Sequence, residues 1–240
     1  MKQVVPVFKR ELNGYFRSPV GYVVLAAFVL IAMILWLFAG NFFESNSASL
    51  ERLFSWMPWI FCVFVPATAM RLWAEEKRSG TVELLLTLPV TTTEAVVGKF
   101  LAAWTFIILA VLLTFPAVFT VTFLGDPDWG VIVTGYLGSI LMAAAYLGVS
   151  SLTSALTRNQ VIAFIIGLIL CLVLTFLGYN LFSDILGAVA PVWMVDALAN
   201  FSFTTHFEAM TKGLVDISGV VFFVSLATVA VVANVIILER

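Results

Sequence analysis

Six apolar stretches, residues 20–40, 56–73, 101–124, 131–156, 161–182 and 217–238, decide what this chain can fold into. A helix needs about 20 apolar residues to cross roughly 30 Å of hydrocarbon. Each stretch is close to or above that length, the shortest being 56–73. A water-soluble domain is about 25% charged. This chain is 11% charged and 62% hydrophobic, more than one compact core can absorb, so lipid must act as part of its solvent. The expected fold is an all-α membrane protein, a single transmembrane domain over residues 1–240 with six transmembrane helices. Pro58 and Pro66 in the second stretch and Pro116 in the third remove backbone donors and predict kinks. Only Thr157, Arg158, Asn159 and Gln160 separate the fourth stretch from the fifth, which forces an antiparallel pair. The first stretch is longer than the roughly 7–15 residue apolar region of a signal peptide, and an amphipathic segment precedes it.

Lys and Arg set the orientation. With the N-terminus inside, only Arg52 and Lys212 of the 12 cations fall outside. An even number of crossings then returns the C-terminus to the cytoplasm.

The spans are informative in what they lack. None carries an ionisable group at depth, and Arg71, at the inner end of the second, can snorkel. A charge at the bilayer centre costs about 2.5–3.5 kcal/mol and is kept mainly for ion paths, proton relays or voltage sensing. Those functions are therefore disfavoured. The single histidine, His206, lies between the fifth and sixth stretches, so intramembrane metalloproteolysis lacks its ligands. Ser139, Ser150, Ser151 and Ser154 share the fourth stretch with Gly135, Gly138, Ala144 and Gly148. They read as a small-residue face for close helix approach rather than as nucleophiles, because no span offers a histidine base. Cys62 and Cys171 read as small hydrophobes. A net charge of −2 argues against a nucleic-acid partner. Gly98-Lys99-Phe100 lacks the rest of a nucleotide-binding loop. The chain therefore reads as a non-enzyme with no catalytic or metal residues and no cofactor of its own. Energy for work has to come from another chain.

Three segments lie outside the spans. Over residues 1–18, Val4, Val5, Phe8, Leu12, Tyr15 and Phe16 share one helical face, while Lys9, Arg10, Asn13 and Arg17 lie elsewhere. That predicts an interfacial helix with its apolar face in lipid, either a plain anchor or a lever within reach of a cytoplasmic partner. Over 75–98, Glu75, Glu76, Lys77 and Arg78 end the second helix and Ser79-Gly80 breaks it. Thr81 can cap a short helix with Glu83 in its first turn and Leu84, Leu85 and Leu88 on one face, stopped by Pro89. Thr91 to Glu94 then forms a capping box. The short helix either rests on the membrane or docks on a soluble partner. Over 183–216, Pro191 opens one helical stretch and Thr205 to Glu208 reads as a second capping box. Trp193, Phe201, Phe203 and Phe207 suit a membrane interface, so this segment reads as a lid or gate at the outer side, or as a partner contact.

The run Arg78-x-Gly80-Thr81-x-Glu83-x-Leu85-x-x-x-Pro89, closed by Gly98-Lys99, resembles the first cytoplasmic loop of type-2 ABC transporter permeases. Phe8-Lys9-Arg10-Glu11-Leu12, with Phe16-Arg17-Ser18-Pro19, is similar to the approach to their first span. His206-Phe207-Glu208 with Gly213 to Asp216 resembles the gliding-motility-type subset. The resemblance implies two paired permease chains, a homodimer or heterodimer, in a bacterial cytoplasmic (inner) membrane. It implies two ABC-type ATPase subunits beneath, holding ATP and Mg, and an extracytoplasmic auxiliary protein in the gliding-type subset. It implies a coupling helix whose contact uses Glu75, Glu76, Arg78, Gly80, Thr81, Glu83, Leu85 and Pro89, with Leu84 on the same apolar face. It implies short re-entrant outer helices carrying Trp193, Phe203, His206 and Phe207 at the exit. A nucleotide-independent channel or scaffold is the alternative, and it predicts indifference to the loop charges.

Overall fold

The computed structural model describes residues 3–40, 42, 48–80, 91–179 and 191–239, and every regular element among them is helical. Helix α1 (Val4–Arg17) leads into α2 (Pro19–Ile34), which ends in a π-helical turn, Leu35–Ala39. Next come α3 (Glu51–Ala69), the short α4 (Ala74–Ser79), α5 (Thr92–Leu112) and α6 (Pro116–Leu124). The chain continues through α7 (Trp129–Leu156), α8 (Gln160–Phe176), α9 (Val192–Ala199), α10 (Phe203–Thr211) and α11 (Ile217–Leu238).

Among the described residues, five helical stretches are long and apolar enough to cross a membrane: Pro19–Ala39, Glu51–Ser79, Thr92–Leu124, Trp129–Leu156 and Ile217–Leu238. The expected fifth crossing is different. Helix α8 is apolar but only 17 residues long, about 26 Å at 1.5 Å per residue. Its last carbonyls would be orphans. The Thr175 carbonyl instead accepts from the Ser202 hydroxyl at 3.3 Å and from the Thr204 hydroxyl at 3.1 Å. Gly178, just beyond the end, lies so close to those hydroxyls that a Cβ would overlap them. The start of α10 thus takes the space that a longer α8 would need. The expected residues 180–182 of this stretch lie outside the described ones.

Pro116 does more than kink its stretch: α5 ends at Leu112 and α6 starts on Pro116. Between them the Thr114 hydroxyl donates to the Val111 carbonyl and meets the Tyr136 hydroxyl at 3.0 Å. Pro58 and Pro66 stay inside a continuous α3.

Helix α7 is the hub. Of its most apolar window 67% is buried, against 22% for α2 and for α11, so α7 is walled by protein and the other two face outward. It pairs antiparallel with α8, where the Thr153 hydroxyl reaches the Ala163 carbonyl at 3.1 Å. Its Tyr146 hydroxyl meets that of Thr175 at 2.5 Å and donates to the Pro58 carbonyl at 3.3 Å, tying α3, α7 and α8 together. Cys62 and Cys171 are buried free thiols near this knot.

Helix α10 lies along α7 in the opposite direction. Phe203 stacks on Tyr146 at 4.2 Å, while the Met210 carbonyl accepts from the Thr134 hydroxyl at 2.7 Å. Those α7 partners are separated by about 18 Å of helix, so α10 begins far inside the bundle and climbs toward its end. Gly138 makes room for it: a Cβ there would sit 2.7 Å from Met210 Sδ and 2.9 Å from the Phe207 ring. Gly138→Val is therefore expected to force α10 off α7, at about 1–3 kcal/mol for overpacking. A thermal midpoint in detergent unchanged from wild type would show that α10 does not depend on this close approach.

Candidate functional site

A six-residue helix does not hold in water by itself, so α4 must be held by its neighbours. It has no capping side chain of its own at Trp73. Ser154 of α7 supplies one through space: its Oγ accepts from the backbone N–H of Trp73 and of Ala74, each at 3.1 Å, and donates to the Met70 carbonyl at 3.0 Å. One fully buried hydroxyl therefore serves both the end of α3 and the start of α4. Lys77 donates to the Ala155 carbonyl, adding a second bond to the same end of α7. Glu75 and Glu76 in the first turn and Lys77 and Arg78 in the last follow the helix dipole. Gly80 closes α4 in the left-handed region at φ 71°, where a side chain would be strained.

The third attachment is ionic. Lys99 of α5 is 2% exposed. Its Nζ donates to Glu76 Oε1 at 2.6 Å and to the Leu72 carbonyl at 3.0 Å, and lies 4.9 Å from the centre of the Trp73 ring. Glu11 of α1 stands 3.7 Å away and also pairs with Arg10 at 2.8 Å. A buried ammonium is tolerated only when paired and hydrogen-bonded in this way. Helix α1 reaches the cluster because Gly98 lets it close on α5, where a Cβ would meet Val7 at 2.8 Å. Tyr15 stacks on Phe106 at 4.6 Å. At the other end of the contact, Gln3 N–H donates to Glu94, which forms with Thr91 the expected capping box. Burial, then the Glu11 carboxylate, push the Tyr15 phenol above its ordinary pKa, while Arg71 pulls the other way.

The predicted residues divide. Glu76 is in the ion pair, Glu75 and Arg78 are exposed on α4, and Gly80 caps it. Thr81, Glu83, Leu84, Leu85 and Pro89 lie outside the described residues. In α1, Lys9, Arg10 and Arg17 are exposed as expected of a polar face. The apolar face needs correction: Val7, not assigned to it, is the buried residue, and Val5 is exposed. Phe8, Leu12 and Phe16 are half-buried, with Leu12 and Phe16 packed on the core. Steps of four from Val7 through Glu11 to Tyr15 turn this stripe onto α5, so part of the face meets protein instead of lipid.

The expected outer cluster also divides. Phe203 and Phe207 are buried against α7, whereas Trp193 on α9 is 71% exposed. His206 stacks on Phe222 at 4.2 Å and meets the Asn200 carbonyl at 2.9 Å. The capping box expected at Thr205 is not what starts α10. Ser202 is the cap, accepting from Thr204 N–H at 3.2 Å, while Thr205 donates to the Ala199 carbonyl and Glu208 pairs with Lys212. Asp216 caps α11 and is held below its usual carboxyl range by hydrogen bonds from Ser218.

Lys99, Glu11 and Ser154 were missed as a site. One local signal existed: Glu11 is the lone acid in a basic helix. Ser154 was hidden among small residues.

The fold is that of a multi-pass membrane protein with a polar bracket at one end. No curated protein sequence matches the chain. A family model described as ABC-2 family transporter protein matches residues 5–238, which takes in α1, the bracket and every apolar helix. The chain belongs to the ABC-2 family of transporter proteins.

Proposed function

We propose that this chain is the permease subunit of an ATP-binding-cassette exporter, passing work from a separate ATPase chain across the membrane. In this reading the α4 end is cytoplasmic and the chain makes six crossings, α8 being the short one. ATP and Mg bind the ATPase, two permease chains pair as a homodimer or heterodimer, and the assembly sits in a bacterial cytoplasmic membrane. The coupling contact with the ATPase falls within residues 75–98. Helix α10, whose start lies far inside the bundle, forms the outer gate with α9. The motif from His206 to Asp216 supports the gliding-motility-type branch with an extracytoplasmic auxiliary protein.

The observation that carries the reading is the bracketing of α4. The segment leading into the proposed coupling helix is tied to α5 and α1 by Lys99 and to α7 by Ser154 and Lys77. A push on that helix has three rigid elements to act upon.

The test begins with tagged protein solubilised from its native membranes. An ATPase chain is expected to co-purify, and nucleotide hydrolysis by that complex is expected to exceed that of the isolated ATPase. Glu83→Lys reverses a rim charge and should abolish the excess while the permease keeps its thermal midpoint. Conductance or assembly without nucleotide, indifferent to this change, would make the chain a channel or scaffold instead.

A further inference from the structure

The α4 end also contains a cavity of about 380 Å³ that the coupling reading leaves unused. Small-ligand pockets run from roughly 300 to 1,000 Å³. Its walls come from α1, α2, the α3–α4 turn and α5. Val20, Val24 and Phe106 contribute apolar lining, while Glu11, Glu75, Glu76, Arg71 and Lys99 contribute charge. It therefore lies where membrane-length apolar helices meet charged helix ends, the level of a lipid headgroup.

These charges are not equivalent. Lys99 is committed to Glu76 and the Leu72 carbonyl, and Glu11 to Arg10. Arg71 and Glu75, four positions apart, are exposed, and neither side chain has an ion-pair or hydrogen-bond partner among the described residues. Tyr15 lines the same cavity, and its hydroxyl, which senses both Glu11 and Arg71, is likewise without one among the described residues. The structure thus presents a free guanidinium, a free carboxylate and a free hydroxyl together with apolar lining.

Each feature selects part of a ligand. A guanidinium matches a phosphate diester through paired N–H bonds. A carboxylate asks for a cation that can donate hydrogen bonds. With Lys99 paired to Glu76 and Glu11 to Arg10, Arg71 and Glu75 leave one charge of each sign, which fits a zwitterionic headgroup better than one with a net charge. A quaternary ammonium has no N–H to give and relies on open aromatic faces, but Tyr15 and Phe106 cover each other. We propose that this cavity binds one phosphatidylethanolamine-type lipid, its phosphate on Arg71, its primary ammonium on Glu75, and the start of an acyl chain along Val24 and Phe106. The proposal does not rest on the coupling reading.

Native mass spectrometry of the purified chain tests it, with phosphatidylethanolamine, phosphatidylcholine and phosphatidylglycerol added in equal amounts. The ethanolamine lipid should be retained preferentially. Arg71→Gln should weaken that retention about tenfold, the size of one lost charge-assisted hydrogen bond. Glu75→Gln should erase the preference over phosphatidylcholine. Gly14 lines the cavity with open space at its Cβ position. Gly14→Leu should therefore fill the cavity and expel lipid while improving helix propensity in α1, which separates loss of the site from loss of the fold. Equal retention of the three lipids by wild type, or wild-type retention in Arg71→Gln and Gly14→Leu, overturns the proposal. No ATPase is present, so failure of the coupling reading and failure of this one are read separately.

Discussion

Ser154→Ala is expected to lower the stability of the bundle by about 3 kcal/mol or more, the cost of leaving three backbone groups unpaired at about 1–3 kcal/mol each. The groups are two N–H donors, at Trp73 and Ala74, and the Met70 carbonyl. The change removes one oxygen and no apolar packing, so cavity formation is a minor part of the effect. Ser139 on the same helix is the control. It is equally buried, but its hydroxyl donates only to the Gly135 carbonyl of its own helix. Ser139→Ala is therefore expected to be near neutral. The measurements are the thermal midpoint in detergent and limited trypsin digestion, where Ser154→Ala should expose a cut after Lys77 or Arg78. Matching midpoints for the two variants would show that the hydroxyl does not hold α4. The pair also bears on the serine-enzyme alternative, which predicts loss of a chemical activity from one serine and no particular effect on α4.

Lys99→Met is the second large effect. Methionine keeps much of the packing against Trp73 but leaves the Glu76 carboxylate without the ammonium at 2.6 Å. Breaking one side of a buried pair costs roughly 3–5 kcal/mol, and because the Glu76 side chain is 21% exposed we expect about 3. The diagnostic is the rescue. Glu76→Gln in the Lys99→Met background removes the carboxylate charge that Lys99 no longer faces and should restore most of the midpoint. If the double variant is as unstable as Lys99→Met alone, the loss is one of packing or of the Leu72 bond. In the complex with an ATPase, the single variant should also lose stimulated hydrolysis, since α4 then loses its ionic tie to α5.

What the sequence disclosed and what it hid follow from distance along the chain. The capping box of Thr91 and Glu94 was legible because both partners fall within one turn. The apolar stretches were legible because each helix carries its own periodicity and length. Local reasoning failed where tertiary contacts chose between equal local options. Thr205 with Glu208 and Ser202 both fit a helix start, but only Ser202 also reaches the Thr175 carbonyl. The same contact explains why α8 stops short of its apolar stretch. Lys99 was visible beside Gly98, but Glu76 is 23 positions away and Ser154 is 81 from Trp73, so neither pairing leaves a trace in spacing. Val7 has no local mark either: its burial depends on the slot that Gly98 opens 91 positions away.

One property of α7 bears on how the two ends of the molecule communicate. Ser154 and Gly138 lie on the same uninterrupted helix, separated by about 24 Å of it, with no proline or π-turn between them. Other spans have joints: α2 ends in a π-turn and the third stretch parts at Pro116. A rod without a proline or π-turn bends less readily than a jointed span. A shift of α7 at its Ser154 end is therefore expected to be felt at the seat of α10, as movement of the rod, before it is felt across the jointed spans.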